Sequence, residues 1–77
     1  MQIVDSFEHK NKTAIYLDTD ETEVVAIRKA SKININGEIF SIIEKDFMTS
    51  LIGKTNVALL LNTSKSIKKG QNIRIIN

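Results

Sequence analysis

Apolar positions in this chain recur every second residue over short stretches, and polar clusters separate those stretches. The clearest stretch is Lys32-Ile33-Asn34-Ile35-Asn36-Gly37-Glu38-Ile39-Phe40-Ser41-Ile42-Ile43. Asn-Gly favours φ > 0 at both central positions of a type I′ turn, whose twist matches that of paired strands. A two-residue turn at Asn36-Gly37 then pairs Ile35 with Glu38, Ile33 with Phe40 and Ser31 with Ile42. Ile33, Ile35, Phe40 and Ile42 share one face, which its composition marks as the core side. Lys32, Asn34, Ile39, Ser41 and Ile43 share the other, where Ile39 and Ile43 offer a dimer patch unless another element covers them.

The same reading extends along the chain. Residues 2–9 alternate poorly but carry Ile3, Val4 and Phe7, and form a first strand. His9-Lys10-Asn11-Lys12 is polar and suits a turn. Thr13-Ala14-Ile15-Tyr16-Leu17 follows as a second strand, with Thr13, Ile15 and Leu17 on one face. Residues 19–30 admit two readings. Asp20 with Glu23 three residues on resembles a capping box, with Val24, Ile27 and Arg28 on one helical turn. The β-branched pair Val24-Val25 favours a short strand or irregular extension instead, and that is the expectation taken here. Glu44 to Ser50 reads as less regular, and Leu51-Ile52-Gly53-Lys54 as a loop edge. Val57-Ala58-Leu59-Leu60-Leu61 is apolar on both faces and belongs in a central strand covered on both sides. Gln71 to Ile76 closes the chain as a last strand with Ile73 and Ile75 inward. About six short strands with turn signals every 8–12 residues predict an all-β fold, a small antiparallel β-barrel, closed or partly open.

Length and composition narrow the picture. Seventy-seven residues make a single domain, 1–77. A chain this short buries only about 60% of its unfolded surface, so its core must be efficient. The thirteen Ile residues supply one, while the lack of Cys removes disulfides and thiolate metal sites. No signal peptide and no apolar run near the roughly 20 residues of a membrane span is visible. The expectation is a cytoplasmic protein, and the heavy use of Ile, Lys and Asn fits an A/T-rich, bacterial coding sequence. Net charge is +2 but unevenly placed: residues 1–27 carry six acidic and two basic groups, residues 28–77 nine basic and three acidic. A basic half marks a possible nucleic-acid face, although no run exceeds two adjacent basic residues, and a mixed, solvated surface accounts for the same charges.

A resemblance rests on residues 32–77. A strand and turn carrying a polar-Gly pair, Ile33-Asn34-Ile35-Asn36-Gly37, lead into a strand ending in an acidic residue, Ile39-Phe40-Ser41-Ile42-Ile43-Glu44. The segment Gly53-Lys54-Thr55-Asn56-Val57 then enters an apolar strand, and Ile67-Lys68-Lys69-Gly70-Gln71-Asn72-Ile73 places a basic-Gly turn before the last one. This order resembles the second half of the β-barrel domain that follows the G domain in elongation-factor-type translational GTPases. The first half departs from that family, with Lys12, Asp18 and Ser31 where it usually has glycines. The resemblance implies a binding module. In the family this barrel contacts aminoacyl-tRNA ends, ribosomal RNA or partner protein domains. With no G domain in these residues, the expectation is a stand-alone barrel that is not a GTPase.

No catalytic constellation stands out, and the chain is read as a non-enzyme without a cofactor. Gly53-Lys54-Thr55 matches the tail of a phosphate-binding loop. The earlier glycine that motif needs is replaced by Met48, and an apolar strand follows where a helix is required. His9 sits between Glu8 and Lys10 in a turn, with nothing to make it a general base. Asp18, Asp20, Glu21 and Glu23 lack the central glycine and span of a calcium loop. The best candidates are Lys65, Lys68, Lys69 and Arg74 near the end of the chain, joined by Arg28, Lys29 and Lys32. Such a set would bind nucleic acid through backbone phosphates, with steep salt dependence. Two functions from different classes follow: an interaction module with a protein or ribonucleoprotein partner, or a nucleic-acid-binding protein using the basic C-terminal hairpin.

Overall fold

Asn36 and Gly37 both adopt positive φ, 53° and 89°, as a two-residue hairpin turn demands. Asn34 Oδ1 accepts from the Gly37 N–H at 2.8 Å and holds the turn from outside. The hairpin joins β3 (Lys32–Ile35) to β4 (Glu38–Thr49), with Ile35 opposite Glu38 and Ile33 opposite Phe40 as expected. The Ile42 N–H donates to the Ser31 carbonyl at 2.9 Å, so the pairing runs on past β3. The computed structural model describes residues 1–49 and 54–76.

β1 (Ile3–His9) and β2 (Lys12–Thr19) form a second hairpin, closed by Lys10 and Asn11 at φ 54° and 62°. This turn has the same conformation as the first without a glycine. β5 (Thr55–Leu61) lies between β2 and β4, and β6 (Ile73–Ile76) pairs with β3, giving the antiparallel order β1-β2-β5-β4-β3-β6. β5 is therefore the central strand its double apolar face requires, with Val57, Leu59, Leu60 and Leu61 all buried.

β4 continues to Thr49, which corrects the irregular reading of Glu44 to Ser50. The physical reason is a bulge between Ile42 and Glu44. Before it the even positions Phe40 and Ile42 face the core. After it the odd positions Lys45 and Phe47 do, because they oppose the buried Leu59 and Val57. A bulge inserts one residue and re-aims the side chains that follow, so period-two counting fails across it. A register shift between Ile3 and Asp5 explains the poor alternation of β1 in the same way. The bulge in β4 also bends the sheet: the first part of the strand pairs with β3 and the second with β5. Both inner faces meet in one core that includes Ile15, Leu17, Ile33, Ile35, Leu59 and Leu61.

Residues 21–29 form a helix, α1 (Glu21–Lys29), and not the strand or extension expected. The capping box decides it. Asp20 Oδ1 accepts from the Glu23 N–H at 2.8 Å, and Glu23 Oε1 accepts from the Asp20 N–H at 2.9 Å. Two donors that a helix start leaves open are thus satisfied. Val24, Ile27 and Ala30 recur every third residue, and the helix buries Ile27 completely while leaving Val25 exposed. Glu21 and Glu23 in the first turn and Arg28 and Lys29 in the last complement the helix dipole.

The sheet does not close into a full barrel. Among the described residues, the segments just before β1 and β6 meet in one isolated bridge, Gln2 to Asn72, and the Ile73 N–H donates to the Met1 carbonyl at 2.8 Å. Around it, Ile3 donates its N–H to the Gln71 carbonyl at 2.9 Å and accepts from the Gly70 N–H at 2.7 Å. The rest of the seam is filled by residues 62–70, which bury Ile67 in the core. The Ser6 hydroxyl donates to the Ile67 carbonyl. Thr13 anchors the same segment twice, its N–H donating to the Thr63 carbonyl at 2.8 Å and its hydroxyl to the Lys65 carbonyl at 2.5 Å. An irregular segment thus takes the place of closing strand pairs.

Candidate binding surfaces

Because both halves of the sheet turn their inner faces to one core, their outer faces point away from it. The first outer face belongs to β1, β2, β5 and β4 beyond the bulge. The register aligns Asp5, Tyr16, Ala58 and Asp46 in one row, and Phe7, Ala14, Leu60 and Glu44 in the next. Asp18, Asn56 and Met48 make a third. Phe7 and Tyr16 stack at a tilt with ring centroids 5.0 Å apart. Phe7 is 40% exposed, Met48 44% and Val4 49%. A shallow depression of about 330 Å³ runs between Phe7, Tyr16 and Leu60, edged by His9, Glu44 and Asp46. A second, of about 310 Å³, lies between Val4, Tyr16 and Met48 beside Asp5 and Asp18. The face is apolar in its middle and carries exposed carboxylates throughout. Of these, Glu44 alone has an ion-pair partner among the described residues, Lys10 at 3.5 Å.

The second outer face belongs to β3, β6 and the first part of β4. Its rows are Ile39, Asn34 and Arg74, then Ser41, Lys32 and Ile76. Ile39 is 58% exposed; Ile43, 46% exposed, is the bulged residue between the two faces. The two faces thus differ in charge: Asp5, Asp18, Asp46 and Glu44 stand on the first, with Lys10 and Lys12 confined to its β1–β2 turn end, and Lys32 and Arg74 stand on the second.

The seven basic candidates do not gather into one site. Lys32 and Arg74 share the second face. Lys68 and Lys69 are exposed in the segment leading to β6, and Lys69 borders a depression with Gln2, Val4 and Asp18. Lys65 is occupied by an ion pair with Glu38 beside the β3–β4 turn. Arg28 lies over the Phe47 ring, 4.3 Å from its centroid, and its carbonyl accepts from Lys45 Nζ at 3.0 Å. Such a contact holds a guanidinium on the protein and lowers its freedom to meet a phosphate. Lys29 is exposed at the helix end.

Other sequence candidates also find their places. Asp20 and Glu23 are used in the capping box, which leaves the acidic cluster without a ligand set. Among the described residues no group of His, Asp and Glu is arranged to hold a metal ion. Ile52 and Gly53 of the phosphate-loop fragment lie outside the described residues, and the chain is strand from Thr55 onward. No described helix is long and apolar enough to cross a membrane.

No protein-family model, curated protein or solved structure matches this chain. The functional reading therefore rests on its surfaces. Sequence reasoning missed the first outer face, because its members come from separate strands and two of those strands contain a register shift. Tyr16 was the one visible signal, standing opposite Ile15 and Leu17.

Proposed function

We propose that the chain is a non-enzymatic, cytoplasmic binding module whose partner is a protein or a ribonucleoprotein. The observation that carries the reading is the outer face of β1, β2, β5 and β4, with Phe7, Val4 and Met48 exposed around Tyr16. Contiguous exposed apolar surface rimmed by polar groups marks interaction sites in soluble domains. Aromatic residues and Met are enriched in such sites. The resemblance to the translation-factor barrel supplies the partner class. The test is capture from extract of the source cell on the immobilised chain, after nuclease treatment. A retained protein that is lost on Phe7→Ser with Met48→Ser supports the reading. Capture that vanishes with nuclease overturns the protein-partner form of it.

A second reading, nucleic-acid binding, is favoured by one observation. Lys29, Lys32, Lys68, Lys69 and Arg74 are exposed and have no ion-pair partner among the described residues. Labelled single-stranded and duplex RNA and DNA titrated across a salt series test it. Lys68→Ala with Lys69→Ala should weaken binding and flatten the salt slope by about one to two units. No binding at low salt removes this reading.

A further inference from the structure

We propose that the two outer faces dock onto each other between copies of the chain, head to tail. This deepens the binding-module reading by naming a partner, a second copy, and it rests on that reading. The first face presents Phe7, Val4 and Met48 beside Asp5, Asp18 and Asp46. The row from Asp5 through Tyr16 and Ala58 to Asp46 ends in a carboxylate on each side. The second face presents Ile39 and half-buried Ile76 beside Lys32 and Arg74, and its rows contain no carboxylate. Lys32 and Arg74 have no ion-pair partner among the described residues, and neither do Asp5, Asp18 and Asp46.

Symmetric pairing is disfavoured on both sides. The first face paired with itself across the Asp5–Asp46 row sets carboxylate on carboxylate, and the second against itself sets cation on cation. Like-charge juxtaposition at an interface is costly, whereas opposite patches steer and register the encounter. The mixed contact sets the Asp5–Asp46 row against Lys32 and Arg74 and covers apolar surface on both copies. Such a contact is heterologous, so every added copy leaves one face of each kind open. The assembly then grows into a ring or a filament and does not stop at a dimer.

The experiment is sedimentation velocity on the whole chain from about 10 µM to about 1 mM at low salt, with a parallel series at high salt. The native chain should more than double its weight-average mass across the series, and high salt should reverse the gain. A first-face variant, Phe7→Ser with Asp46→Lys, and a second-face variant, Ile39→Ser with Lys32→Ser, should each stay monomeric. Their equimolar mixture should form a dimer that grows no further, because one native face of each kind remains and the altered faces lack their apolar anchor. All four positions are exposed, and circular dichroism verifies that each variant is folded; Arg74→Glu alone probes the second face without touching an apolar side chain. A native chain that stays monomeric at the highest concentration overturns the proposal. So does assembly that either variant retains, or a closed dimer indifferent to Lys32 and Arg74. A monomeric native chain leaves the nuclease-resistant capture to decide the binding-module reading, so the two failures are told apart.

Discussion

The two halves of the sheet share one core but are built unequally. The half made of β1, β2, β5 and the far part of β4 has long strands, 7 residues in β1, 8 in β2 and 7 in β5. In the other half β3 and β6 have 4 each. Helix α1 contacts β2 and β5, which adds it to the long-stranded half. That half holds β5 between two partners and buries Leu60 as well as the inward Val57, Leu59 and Leu61. The short-stranded half buries no residue on its outer face and leaves Ile39 in water, whereas the long-stranded half, with Val4, Phe7 and Met48 exposed, still buries Ala14 and Leu60 there. Stability is therefore concentrated around β5, while the β3–β6 half is the more easily opened edge.

Truncation breaks this comparison most directly. Leu59→Ala should cost about 2–5 kcal/mol, the range for a fully buried leucine whose site cannot collapse. That is a large part of the roughly 5–10 kcal/mol expected of a small domain. Ile75→Ala, half-buried on the edge strand β6, should cost about 1–2 kcal/mol by the smaller area it removes from water. Urea unfolding of both variants measures the difference, and equal losses would show that the core does not distinguish the halves.

The turn of the short-stranded half comes next. Gly37 has φ 89° and open space where a Cβ would stand. Gly37→Ala therefore introduces no clash, and its cost, about 1–2 kcal/mol, is backbone strain alone. A neutral result in thermal unfolding would mean that the β3–β4 hairpin re-forms with another turn.

What could be read from the chain follows the same division. The β3–β4 hairpin was legible to the residue, because Asn36-Gly37 sets the register and nothing interrupts the alternation before Ile42. The central place of β5 was legible from its double apolar face. The far part of β4 was not, because the bulge moves the inward set from Phe40 and Ile42 to Lys45 and Phe47, and local periodicity carries no mark of where the extra residue falls. The outer aromatic face was lost with it. The helix was a different failure. Its capping box was visible, but the strand preference of Val24-Val25 outweighed it, although Val25 is solvent-exposed and decides nothing. Of the basic set proposed for nucleic acid, Lys29, Lys32, Lys68, Lys69 and Arg74 stand exposed. That Arg28 would lie on Phe47 and Lys65 would pair with Glu38 depends on contacts between elements far apart in sequence.

The helix gives the third test. Asp20→Ala removes the acceptor for the Glu23 N–H and should cost about 1 kcal/mol. Glu23→Ala removes only the reciprocal bond to the Asp20 N–H at an exposed site and should cost less. If α1 is part of the long-stranded half, Asp20→Ala should also speed amide hydrogen exchange in α1 before it does so in β3 and β6. The reverse order would detach the helix from that half.

The smallest effect separates the two hairpins themselves. Both turns require φ > 0 at both central residues, and only one has a glycine at the second. In the β1–β2 turn Lys10 and Asn11 occupy the left-handed region, which costs an ordinary L-residue about 1–2 kcal/mol and Asn somewhat less. Asn11→Gly should relieve that strain, offset in part by the greater freedom of glycine in the unfolded chain. The net gain expected is about 0.5 kcal/mol, which raises the thermal midpoint of a domain this size by about 2–4 °C. Lys10 keeps its ion pair with Glu44 in this variant, so the measurement isolates the backbone. A gain here beside a loss for Gly37→Ala would show that turn chemistry limits the long-stranded half and already favours the short one. A loss at both positions would mean that Asn11 supports the β1–β2 turn in a way its φ does not reveal.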